Sequence, residues 1–292
     1  MRRLLTSSLL AAALAATLGW SGPSLAEPAM SAGPSDRVPS CATPPLLTEI
    51  DAALDRTTTR IRAGKPIVIV AIGSSSTQGV GASVPGMSYP SRLERELKDR
   101  YPGAEISVIN HGVGGQDVGE ELIRLDRDVL AEHPDLVIWQ LGTNAVLRRD
   151  DLTADEQLIR RGVALLKENA IDIVLMDLQY APRVLERRAS AEMERLIAEI
   201  ARHAHIGLFR RFEIMKEWDN THQLAPAALI GSDGLHMTDA SYACLANQLA
   251  EALSWNWWSH VKLAKSSHRS PAAVAGIERP SSAMSGDISR RP

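Results

Sequence analysis

Pro66-Ile67-Val68-Ile69-Val70-Ala71-Ile72-Gly73-Ser74-Ser75-Ser76-Thr77 decides the fold class of this 292-residue chain. The run from Pro66 to Ile72 is continuously apolar and too short for a buried helix. It therefore reads as a strand covered on both faces, stopped by a glycine and three serines. The alternation continues downstream. Strands are predicted over 106–109, 136–141, 171–176 and 206–208. Helices are predicted over 91–101, 118–132, 154–168, 185–203 and 238–257. Leu46, Leu47, Ile50, Ala53, Leu54 and Ile61 share a helical face and predict one further helix over 46–61. Apolar strands separated by helices indicate an α/β protein, a three-layer α/β/α sandwich around a parallel sheet of about five strands. There is no internal repeat.

Ligands of such sheets bind beyond the carboxyl ends of the strands. The turns after Ile72, Ile109, Leu141 and Met176 share that edge, and the residues in them are chemically specific. Gly73-Ser74-Ser75-Ser76-Thr77-Gln78-Gly79 follows the first strand. Asn110-His111-Gly112-Val113-Gly114-Gly115-Gln116-Asp117 follows the second, and Gly142-Thr143-Asn144 the third. Asp233-Gly234-Leu235-His236 precedes the last helix. Together they offer a hydroxyl nucleophile, an imidazole base, a carboxylate to orient it, and donors for a developing oxyanion. Composition alone leaves Ser74, Ser75 and Ser76 as equal candidates. The turn is not a Gly-x-Ser-x-Gly elbow, because Thr77 occupies the final glycine position. It has neither a Walker-type lysine nor a Gly-x-Gly-x-x-Gly pattern, which argues against nucleotide binding.

The amino terminus reads as an export signal. Arg2-Arg3, the apolar stretch from Leu4 to Leu18 and the small-x-small sequence Ser24-Leu25-Ala26 predict cleavage after Ala26. Cleavage would take Arg2 and Arg3 from 32 basic side chains and none of the 35 acidic ones, leaving a net charge of about −5. With no long basic run, nucleic acid is not an expected partner. No later segment is apolar for long enough to span a bilayer. Residues 27–44 read as a linker, 45–263 as the folded domain and 264–292 as a disordered tail. The expected location is the periplasm or the exterior, where the only two cysteines, Cys41 and Cys244, can pair.

The four blocks resemble those of the SGNH hydrolases, also called GDSL-type esterases and lipases, over roughly residues 66–250. Gly73-Ser74-Ser75-Ser76 is similar to the Gly-Asp-Ser-Leu block, which implies Ser75 as the nucleophile. The resemblance implies an oxyanion hole of Ser75, Gly115 and Asn144, and a triad completed by Asp233 and His236. It also implies a flavodoxin-like sandwich. Ser74 departs from the Asp usual beside the nucleophile, and Ala145 from the Asp that often follows the third-block Asn. The implied activity is an exported serine esterase acting on small or carbohydrate-linked acyl esters, O-acetyl groups included. Alternatives are an O-acyltransferase acting on a glycan, a lysophospholipase or thioesterase, and a silent envelope-binding protein. No cofactor and no metal are expected; His203-x-His205 reads as a surface pair. Gln78, His111, Gln179 and Tyr180 are placed as candidate substrate-lining residues by their positions after strands. Trp255, Trp257 and Trp258 end the last helix and are read as core packing and cover for the domain edge.

Overall fold

In the computed structural model the described residues are 41–148 and 151–267. The predicted signal peptide, residues 27–40 of the linker and residues 268–292 of the tail lie outside them. Five strands form the sheet: β1 (Ile67–Gly73), β2 (Ile106–Gly112), β3 (Leu136–Gln140), β4 (Asp172–Met176) and β5 (Gly207–Phe209). All pair in parallel in the order β2-β1-β3-β4-β5. This is the doubly wound order whose switch point lies between β1 and β3. β1 and β3 are almost wholly buried, which is why they read as unbroken apolar runs.

The helices before the second strand are α1 (Pro45–Thr48), α2 (Asp55–Arg62), α3 (Ser75–Gln78) and α4 (Tyr89–Arg100). Next come α5 (Val118–Ile123), α6 (Leu125–Asp128), α7 (Thr143–Arg148) and α8 (Thr153–Glu168). The rest are α9 (Pro182–Leu185), α10 (Ser190–Ala204), α11 (Arg211–Asn220), α12 (Pro226–Leu229) and α13 (Asp239–Ser267). α13 packs on α4 and α2, while α8 packs on α5 and α10, giving the two helical layers.

Three departures from the predicted elements have physical causes. The helix expected over 46–61 is two helices, because the chain between them is held by a buried side chain of α13. Asn256 donates to the carbonyls of Ile50 and Ala52 and accepts from the Leu54 N–H, taking groups a helix would have used. The helix expected over 118–132 breaks at Arg124, which is 5% exposed and turns its guanidinium toward the strand ends. α11 was not expected; it buries Phe212, Ile214, Met215 and Trp218.

Residues 41–44 are packed, not linker. Cys41 is buried, Thr43 accepts from the Trp218 indole, and the Ala42 carbonyl accepts from Gln223. A disulfide joins Cys41 to Cys244 of α13 with their Cα atoms 5.6 Å apart. Of the tryptophans at the end of α13, Trp257 is buried and donates to Thr57. Trp255 and Trp258 instead face outward, at 62% and 63% exposure. No helix among the described residues is long and apolar enough to cross a membrane.

Candidate active site

β1 delivers the serine turn to the carboxyl edge of the sheet, and the three serines then separate by environment. Ser74 and Ser76 are buried and both donate to Gln140 Oε1 at the end of β3, at 3.1 and 3.0 Å. Ser75 is half-buried, and its Oγ lies 2.9 Å from His236 Nε2. As first residue of α3, Ser75 has a main-chain N–H with no partner inside the helix.

The His236 loop is held by its own backbone. Gly231 N–H donates to the His236 carbonyl at 2.8 Å, and Ile230 bridges Met237. Asp233 Oδ1 accepts from the N–H groups of Leu235 and His236 at 2.9 and 3.0 Å, while Oδ2 meets His236 Nδ1 at 2.5 Å. Partial burial pushes the Asp233 carboxyl up. Bonds from the His236 ring and the two main-chain N–H groups outweigh it and hold the carboxyl at about 2. The ionised Asp233 accepts a hydrogen bond from the Nδ1–H, which leaves Nε2 to accept from the Ser75 hydroxyl.

The glycine turn after β2 packs directly on α3. A Cβ on Gly112 would lie 2.0 Å from Gln78 N, and Gln78 Oε1 accepts from the Gly114 N–H at 2.8 Å. Gly115 has φ +82°, the left-handed region, and open space around its missing Cβ. Asp117 starts α5 with a reciprocal capping box through Glu120, which fixes where the turn ends. Arg148 binds the Gly115 carbonyl from α7. Asn144 uses Nδ2 to donate to the Gln116 carbonyl at 2.7 Å, so Asn144 sits against the Gly115–Gln116 segment.

Two of the four candidate lining residues are turned elsewhere. Gln179 is 1% exposed and hydrogen-bonds Thr143 and Arg211, so it is support and not lining. His111 points its ring to Glu132, at 3.2 Å. Tyr180 is partly buried and meets Phe212 edge-on, with ring centroids 5.3 Å apart. Gln78 is exposed beside the glycine turn.

Three buried polar side chains that hold the edge together were not singled out. Arg124 donates to the carbonyls of Gly73 and His111 and to Gln116 Oε1, tying β1, β2 and the glycine turn. Gln140 holds the serine turn. Arg211, fully buried at the start of α11, reaches Ser76, Asp177 and Gln179. The available signal was a polar residue ending a wholly apolar strand, as Gln140 ends Leu-Val-Ile-Trp. Among the described residues no group of three or more His, Cys, Asp or Glu side chains is arranged to hold a metal ion.

With this geometry in view, the sequence over residues 40–255 matches the non-GDSL lipase-like family. The chain belongs to that family. By fold and family this non-GDSL lipase-like protein is an SGNH-type hydrolase. An arylesterase of Vibrio mimicus is 24% identical over 185 residues, covering 63% of this chain and 87% of that protein. An acetylxylan esterase of Geobacillus stearothermophilus is 27% identical over 199 residues, covering 63% and 90%. A crystal structure of an acetylxylan esterase from that organism superposes with TM-score 0.55 at 26% identity, covering 65% of this chain and 95% of that one. A two-domain esterase active on acetylated mannans superposes with TM-score 0.58 at 22% identity and shares the fold. The match covers 72% of this chain but only 56% of that larger protein.

Proposed function

We propose that this protein is an exported esterase that removes acetyl or other short acyl groups from carbohydrate esters through a Ser75–His236–Asp233 triad. The observation that carries the reading is the hydrogen-bonded row from Ser75 Oγ to His236 Nε2 and from Nδ1 to Asp233. The acetylxylan esterase relative supports an acetylated sugar as substrate. The sequence at 1–26 and the Cys41–Cys244 bridge favour the periplasm or exterior.

In this mechanism His236 takes the Ser75 proton as Oγ attacks the ester carbonyl, and Asp233 stabilises the imidazolium that forms. The tetrahedral oxyanion is met by the main-chain N–H groups of Ser75 and Gly115 and by the Asn144 amide. Collapse expels the sugar alcohol, which receives the proton from His236, and leaves an acyl-Ser75. Water, deprotonated by His236, then releases acetate and restores the serine.

Fluorophosphonate labelling of wild type and Ser75→Ala tests the nucleophile; equal labelling of both would sink it. An acyl-length series of p-nitrophenyl esters beside acetylated xylo-oligosaccharides tests the substrate. Acetate release from the sugars with activity falling as the chain lengthens is the expected result. Preference for long chains would point to a lipid substrate, and acetyl transfer to a second sugar in place of water would make the protein a transferase.

A further inference from the structure

We propose that Arg211 is a positioning residue that locks the three catalytic segments to one another through a fork of buried hydrogen bonds. The inference rests on the reading above, in which Ser75, Asn144 and His236 act together. Arg211 touches none of these three. It holds, directly or through Gln179, the residue adjacent to each.

One arm is direct. Arg211 Nη1 donates to Ser76 Oγ at 2.9 Å, and Ser76 follows Ser75. The other arm runs through Gln179. Arg211 Nη2 donates to Gln179 Oε1 at 3.0 Å, and Thr143 Oγ1 donates to the same oxygen at 2.8 Å. Thr143 precedes Asn144. Gln179 Nε2 donates to the Leu235 carbonyl at 3.5 Å, and Leu235 precedes His236. A single guanidinium thus spans the ends of β1, β3 and β4 and the histidine loop, none of which the others fix by local sequence.

Neutralising a buried acid does not account for the arginine's hydrogen bonds. Asp177 interacts with it by charge, yet Nη2 donates to the Asp177 main-chain oxygen, at 2.5 Å, while the carboxylate accepts from the Phe212 N–H. Arg211 is 0% exposed, and its Nε has no hydrogen-bond partner among the described residues. Burial lowers its pKa to about 10. A buried, incompletely satisfied cation is weak support for stability. A rigid planar fork is suited to holding several oxygens at fixed angles.

The test uses the full chain with p-nitrophenyl acetate, comparing Gln179→Met, Ser76→Ala, Arg211→Met and the Arg211→Met/Gln179→Met pair, with Ser75→Ala as control. Misplacing catalytic groups by about an ångström costs on the order of a hundred-fold, so Gln179→Met and Arg211→Met are expected to lose about 10- to 100-fold in kcat with KM within about twofold. Fluorophosphonate inactivation should slow in parallel. The paired variant should be no worse than the poorer single one, because both cut the same arm. Wild-type kcat in folded Gln179→Met, or losses that multiply in the pair, would overturn the proposal. If Arg211→Met does not fold, Gln179→Met decides it alone, and wild-type kcat in that variant rejects it. An active, labelled Ser75→Ala would instead overturn the underlying reading, whatever the Arg211 variants do.

Discussion

The side-chain oxygen of Gln140 accepts both the main-chain N–H and the hydroxyl of Ser74, at 3.0 and 3.1 Å, and the hydroxyl of Ser76 at 3.0 Å. Ser74 stands where related enzymes usually carry an aspartate beside the nucleophile. Here the acceptor comes from the neighbouring strand and the turn supplies the donors. Gln140→Met keeps the volume and removes the acceptor, leaving buried donors unpaired. It is expected to cost about 1–3 kcal/mol by urea denaturation and to lower kcat more than it raises KM. Unchanged stability with unchanged kcat would show that the turn holds its own shape.

Asn144, proposed above as an oxyanion donor, has a side chain oriented by the Gln116 carbonyl, with its second amide hydrogen uncommitted by that bond. Asn144→Ala is expected to reduce kcat by about a hundred- to a thousand-fold, as loss of one oxyanion donor does. Steady-state kinetics on p-nitrophenyl acetate decide it, and near-normal turnover removes Asn144 from the mechanism.

Glu121 gives stability a pH dependence unrelated to catalysis. Burial raises its carboxyl from 4.5 to about 8, partly offset by the hydrogen bond from the Trp139 indole, and burial raises Asp177 to about 7. Between the unfolded and folded values the folded state holds protons the unfolded chain has released, so stability falls as pH rises through that window. Urea midpoints are expected to drop from pH 5 to pH 8, and Glu121→Gln to reduce the drop. An unaltered slope in that variant would return Glu121 to the ordinary carboxylate range.

The bridge from Cys41 to Cys244 closes a separation of 203 residues and anchors the segment that begins at Cys41 to α13. Replacing both cysteines with serine is expected to destabilise the protein by about 2–5 kcal/mol. A denaturant titration in which wild type and the double variant coincide would show that packing of residues 41–48 suffices.

Much of the edge chemistry was legible because it is local. Asp233 and His236 are three residues apart, so one loop can join them. Continuous apolar runs such as Ile67–Ile72 announce buried parallel strands whatever lies elsewhere. Gln179 and His111 were misplaced for the opposite reason. Position after a strand names the edge a residue occupies but not the direction of its side chain.

The α/β class, the strand pattern, the four blocks and their common edge follow from the residues read in order, since hydrophobic period and turn chemistry are properties of neighbouring residues. The likeness of Gly73–Ser76 to the family block already named Ser75, whereas the folded chain sets its Oγ 2.9 Å from His236 Nε2 and turns Ser74 and Ser76 to Gln140. Packing likewise sets Asn256 against the first predicted helix and joins Arg211 and Gln140 to the serine turn. Those outcomes depend on hydrogen bonds between residues 32 to 206 positions apart, and a buried polar group takes whichever partner the packed fold brings within reach.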